Sequence, residues 1–174
     1  MLSRVGAAVI VCFIARAASP DQSMFKAIRA NDIPLIERQI SHGAGVNSRG
    51  QHDTTPLMYA AAFGSVECMK LLLAAGADVD AKNAFDATAL MWSAGDLTRV
   101  QLLVEKGADV NAKSKQGRTP LMIAANHSGA EQVVRFLLAS GADAKTRDTA
   151  NTTALMAAAQ ANDAESVRLL LARR

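Results

Sequence analysis

One phrase recurs four times along this chain of 174 residues: TPLMYAA at 55–61, TALMWSA at 88–94, TPLMIAA at 119–125 and TALMAAA at 153–159. Its leading threonines, Thr55, Thr88, Thr119 and Thr153, stand 33, 31 and 34 residues apart. A second landmark keeps step with the first: HGAGVN at 42–47, GADVDA at 76–81, GADVNA at 107–112 and GADAKT at 141–146. Two landmarks with matching intervals mean one structural unit written several times over. A catalytic site needs its residues once, so a recurring phrase points to an array of stacked units.

Between the landmarks the apolar residues follow a helical period. Leu57, Ala60 and Ala61 fall at i, i+3 and i+4 of a short first helix, and Val66, Met69, Leu72 and Leu73 do the same for a second. Gly64 separates the two. Threonine before proline marks a helix start: the hydroxyl caps, and Pro56 occupies the first turn, where its missing N–H costs nothing. Gly76 follows the second helix, where a left-handed residue ends helices without a Cβ penalty. The stretch DVDAKNAFDA, which joins two units, has no helical period and reads as an extended turn. Alanine and leucine supply most of the apolar residues, which favours close-packed helices.

These residues resemble the ankyrin repeat, whose phrase is T-P-L-H-x-A-A, then a glycine, a Val/Leu-rich second helix and G-A-D-V-N. The resemblance covers residues 20–174. It implies an all-α solenoid of stacked helix-turn-helix pairs with projecting hairpin-like loops and a concave groove. Units are expected at 20–48 (a polar N-terminal cap carrying Lys26, Arg29, Glu37 and Arg38), 50–82, 84–113, 117–147 and 151–174. The chain departs from the family in one respect. Met58, Met91, Met122 and Met156 stand where the family has histidine, so hydrogen bonds between loops are lost there and core packing is expected instead. The third unit is two residues short and the fourth one residue long, both at the turn between helices. The last unit has no GAD loop; either Arg173 and Arg174 cap its final helix, or the natural chain continues.

The first residues read differently. Met1–Arg4 is short and basic, VGAAVIVCFIA at 5–15 is apolar, and ARAAS at 15–19 offers small residues for a cut after Ala17. This is the layout of a secretory leader over 1–17, and it implies export to a periplasm or out of the cell; a buried N-terminal helix is the alternative. Val11 before Cys12 argues against lipidation. Losing 1–17 removes Arg4 and Arg16, so 17 Lys+Arg face 16 Asp+Glu and the net charge falls to about +1. That balance gives no reason to expect nucleic acid or, once the leader is gone, a membrane as partner. Cys68 is then the only cysteine, and no internal disulfide is possible.

A search for chemistry finds no constellation. His42, His52 and His127 lack partners at metal-ligand spacing, and neither HExxH nor CxxC occurs. In GVNSRGQH at 45–52 the residue after GxxxxG is Gln51, where a phosphate loop needs lysine. Asp78 and Asp109 recur with the unit and are explained by its loops. Asn126-His127-Ser128 and Asn151-Thr152-Thr153 are glycosylation sequons, meaningful only in a eukaryotic source. The expectation is therefore a protein that is no enzyme and holds no cofactor or metal.

The surface remains. The resemblance implies partner contacts from loop tips and from the inner face of the first helices. Mapped residue by residue, these are the tips at Gln51, Asp53, Phe85, Asp86, Lys115 and Arg118, and the inner positions Tyr59, Phe63, Trp92, Asn126 and His127. Outside the leader there are six aromatic residues. Phe25 and Phe136 are expected in the core, while Tyr59, Phe63, Phe85 and Trp92 all map to one face of adjacent units, as an interaction hot spot requires. The reading is a monomeric, non-catalytic protein-binding module with a groove centred on Phe85 and Trp92; the alternative is the binding portion of a larger enzyme or receptor.

Overall fold

In the computed structural model, which describes residues 20–173, α-helices follow one another in pairs. The pairs are α1 (Pro20–Ala30) with α2 (Ile33–Ser41), α3 (Pro56–Phe63) with α4 (Val66–Ala74), α5 (Ala89–Trp92) with α6 (Leu97–Glu105), α7 (Pro120–Ala125) with α8 (Glu131–Ala139), and α9 (Ala154–Gln160) with α10 (Ala164–Leu171). A short 3₁₀ turn covers Gln51–Asp53, and no strand occurs among the described residues. First helices pack in the order α1, α3, α5, α7, α9, and second helices form a parallel row behind them.

The recurring phrase explains the helix starts. Thr55 Oγ1 accepts from the Met58 N–H at 3.2 Å, and Thr119 and Thr153 repeat the bond with Met122 and Met156 at 3.3 Å. Pro56 and Pro120 occupy the first turns. Helix ends follow the second landmark: Gly43, Gly76, Gly107 and Gly141 have φ between 80° and 91°, and the residue after each donates back five residues, as Ala77 does to Leu72 O at 2.9 Å.

The core runs between the two rows as one cluster. Leu57, Leu90 and Leu121 of successive phrases are buried, as are Met58, Met91 and Met122. Met156 breaks the expectation for the methionines. It is 47% exposed, because the described chain places no further helix pair against α9. The loops missing their histidines are stitched by another device. Asn47 donates to Gly76 O and accepts from the Asp78 N–H, Asp80 accepts from the Asp109 N–H, and Asn111 bridges Gly141 O and the Asp143 N–H, all at 2.8–3.0 Å. Each bond links one unit to the next.

The third unit is two residues short because its first helix is cut from 8 residues in α3 to 4 in α5, while the turn that follows lengthens from 64–65 in the second unit to 93–96. Asp96 caps α6, and Arg99 reaches back to the preceding unit, to Ala61 O at 2.8 Å and Gly64 O at 2.9 Å. The guanidinium thus satisfies carbonyls at the end of α3 that would otherwise be orphaned.

A candidate partner-binding groove

Each loop tip is a five-residue turn whose first amide donates to its last carbonyl. Gly50, Asn83, Ser114 and Asp148 donate to Thr54, Ala87, Arg118 and Thr152 carbonyls at 2.8–3.1 Å. The residue three places after each donor adopts positive φ: Asp53 (57°), Asp86 (55°), Gly117 (74°) and Asn151 (62°). Aspartate, asparagine and glycine tolerate that conformation best. Asp53 and Asp86, singled out as contact residues from sequence, therefore have a backbone role of their own. Neighbouring tips are joined edge to edge: Ala84 donates to His52 O, Lys115 to Phe85 O and Thr149 to Gln116 O, at 2.9–3.0 Å.

The first helices add side chains to this wall. In the first four units a buried methionine is followed by a residue at the groove, Met24-Phe25, Met58-Tyr59, Met91-Trp92 and Met122-Ile123; in the fifth the exposed Met156 precedes Ala157. The residues that follow run from aromatic to small along the stack. At the aromatic end, Phe25 and Tyr59 meet edge to face with centroids 5.3 Å apart, and Tyr59 and Phe63 lie at 4.9 Å. Together with Trp92 they line a cavity of about 620 Å³, walled by Lys26, Arg49, Gly50, Gln51, His52 and Thr54. Phe63 is 61% exposed, an unusual state for so large an apolar side chain. Arg49 is held by Asp53 O at 3.1 Å and Lys82 O at 2.6 Å, so its charge is fixed at the wall by neutral partners. Gly50 makes room for Phe25; a Cβ there would lie 2.8 Å from the ring.

A smaller cavity of about 150 Å³ lies at the other end of the same row, among Arg118, Met122, Ile123, Asn126, His127, Asp148, Thr152, Ala157 and Gln160. Arg118 Nε stands 3.7 Å from Asp148 Oδ2. The Thr152 amide holds the Asp148 carboxyl below its ordinary value, helped by Ala150 N–H and by Arg118 against the opposing effect of burial. Asp143 is lowered in the same way, first by the Lys145 amide and then by Thr146.

The sequence-derived residues thus divide. Gln51, Tyr59, Phe63 and Trp92 share the larger cavity, and Arg118, Asn126 and His127 the smaller. Phe85 lines neither; 55% exposed, it leans on His52 with centroids 5.4 Å apart. Of the pair expected at the groove's centre, Trp92 shares the larger cavity with Tyr59 and Phe63, while Phe85 stands outside it on the loop tip. Lys115, Asp53 and Asp86 also stand on tips outside both cavities. Phe25, expected in the core, is only half-buried and belongs to the groove, while Phe136 is partly buried against the core as expected. Aligning Met24-Phe25 with Met58-Tyr59 would have shown this, but the cap lacks the TPL phrase that anchors such an alignment.

Among the described residues no group of His, Cys, Asp and Glu could hold a metal ion, and no helix is long and apolar enough to cross a membrane. The family model for ankyrin repeats, described as three copies, matches residues 24–114 and again 93–174. The chain belongs to the ankyrin-repeat family. Its ankyrin repeats are 37% identical to the mitochondrial disaggregase of Bos taurus across 45% of this chain and 13% of that protein. They are 35% identical to the human mitochondrial disaggregase across 45% of this chain and 11% of that one. A 42% identity to an ankyrin repeat, SAM and basic leucine zipper domain-containing protein of Loxodonta africana covers 30% of this chain and 11% of the relative. The matched region spans about an eighth of these curated relatives or less. Ankyrin repeats generally mediate protein–protein interaction and are typically non-catalytic.

Proposed function

We propose that this chain is a non-catalytic, exported module that holds one protein partner in the groove of its first helices and loop tips. The observation that carries the reading is the aromatic cluster of exposed Phe63 with half-buried Tyr59, Phe25 and Trp92 around the larger cavity. Aromatic side chains gathered in one open depression are what dominates binding energy at protein interfaces. Scarcity sharpens the point, because four of the six aromatics outside residues 1–17 gather there. Gln51 walls the same cavity, and the tips at Asp53, Phe85, Asp86 and Lys115 extend the contact surface. Arg118, Asn126 and His127 provide a polar second subsite.

The test is affinity capture from the source organism with residues 18–174 as bait, beside a Phe63→Ala/Trp92→Ala version shown by circular dichroism to keep its helices. A protein held by the first bait and lost with the second is the expected result. Retention by both baits refutes the groove. Export through a leader at residues 1–17, which lie outside the described residues, predicts that the protein isolated from its source begins at Ala18; an intact Met1 would refute it.

A second reading is supported by the relatives, all far longer than the matched region: the repeats form the binding portion of a larger protein. Sequencing the transcript past the Arg174 codon decides it.

A further inference from the structure

We propose that the occupant of the larger cavity is a partner segment bearing one bulky apolar side chain flanked by carboxylates. The inference rests on the groove reading above and adds the chemistry of its ligand. Three observations point the same way. The floor is aromatic: Phe25, Tyr59, Phe63 and Trp92 offer faces and edges to an inserted aromatic or branched side chain. The cavity of about 620 Å³ accommodates one or two large side chains, not the face of a folded domain.

The wall carries one sign of charge. Lys26 and Arg49 line it beside the His52 ring, and no acid among the residues whose side chains are described does. Arg49 is anchored by two carbonyls, which orient the guanidinium without neutralising it. Lys26 projects, exposed, from α1 beside Phe25. A chain whose charges nearly balance outside residues 1–17 thus presents a locally positive aromatic trough. Low-dielectric walls strengthen such a field. A basic segment would meet repulsion there, and a purely apolar one would leave both cations without a counter-charge.

The experiment is selection of a random linear peptide library on residues 18–174, followed by binding measurements on the enriched peptides. Enriched peptides are expected to carry a single Phe, Trp or Leu between Asp or Glu residues. Their binding should be lost in Phe63→Ala/Trp92→Ala and should fall by about fivefold to tenfold in Lys26→Glu. It should also weaken as salt is raised from about 50 to about 500 mM. Peptides that need Phe63 and Trp92 but are neutral or basic, or are indifferent to Lys26→Glu and to salt, overturn the carboxylate inference and leave the groove intact. Peptides unaffected by the aromatic double variant, or no enrichment over heat-unfolded bait, overturn both.

Discussion

Four threonines hold the same place in four repeats, yet only Thr55, Thr119 and Thr153 cap their helices. Thr88 Oγ1 is buried without a hydrogen-bond partner among the described residues. Valine is nearly isosteric with threonine, so the two sites separate capping from packing. Thr55→Val and Thr119→Val are expected to cost about 1 kcal/mol each, whereas Thr88→Val removes an unsatisfied hydroxyl and should be neutral or stabilising. Urea unfolding midpoints of the three variants check this. Arg99 presents the opposite case, a charged side chain recruited for structure. Its Nε lies 3.3 Å from Asp96 Oδ2 in a geometry short of a hydrogen bond, while its other nitrogens serve α3. Arg99→Met keeps the stem and loses those bonds, at an expected cost of about 1.5–3 kcal/mol in the same assay. Asp148 links residue to pH. Its carboxyl is held below the ordinary value by the Thr152 and Ala150 amides and Arg118, so the folded state favours its ionised form. The stability it contributes is complete above the unfolded carboxylate range and is lost as pH falls through the lowered value. Asp148→Asn can still accept both amides but cannot titrate. Thermal melts from about pH 6 down to about pH 2.5 should therefore show a shallower decline for Asp148→Asn than for the parent chain.

At the scale of elements, much was legible because local chemistry and repeat spacing agree. Proline after threonine, glycine after the second helix and leucine at a helical period each named the same boundaries. The third repeat shows what spacing alone leaves open. An interval of 31 instead of 33 announces a deletion. It does not announce that Arg99, from the following helix, would take over the carbonyls of α3, since that bond spans 38 residues of sequence. The groove was half legible for a related reason. Tyr59 and Trp92 lie within the recurring phrase, which locates them, while Phe25 sits in a cap without that phrase, where sequence position points to the core. Phe85 was placed by loop position, and its side chain settled on His52 because the tip turns, and not the helices, orient it. The groove's shape depends on the join between α1 and the first tip. Gly50 has an ordinary φ of −86°, so its constraint is space alone. Gly50→Ala is expected to displace the Phe25 ring and lower affinity for any groove ligand by about tenfold, with little loss of helix content by circular dichroism.

At the scale of the whole molecule, a linear stack has ends, and its ends differ. Each repeat contacts only its neighbours, so a residue's worth depends on what lies beyond it. Met122 is 5% exposed beneath α9, while Met156, at the same place in the phrase, is 47% exposed, with Leu171 of the same repeat at 42%. The N-terminal end is finished otherwise: Lys26, Arg29, Glu37 and Arg38 are exposed on α1 and α2 while Met24, Ile28 and Ile36 are buried. Met122→Ala should therefore cost about 2–4 kcal/mol, and Met156→Ala less than about 0.5 kcal/mol. Hydrogen exchange should follow the same order, with α9 and α10 losing protection before α5 to α8. Both expectations assume that the end face is bare in solution, as it is for a monomer. Light scattering on residues 18–174 supplies the control. A monomer mass with a small Met156 effect fits an open-ended stack. A large Met156 effect together with a dimer mass would mean that a second copy covers the end; with a monomer mass it would mean that residues of the chain's own termini fold over it.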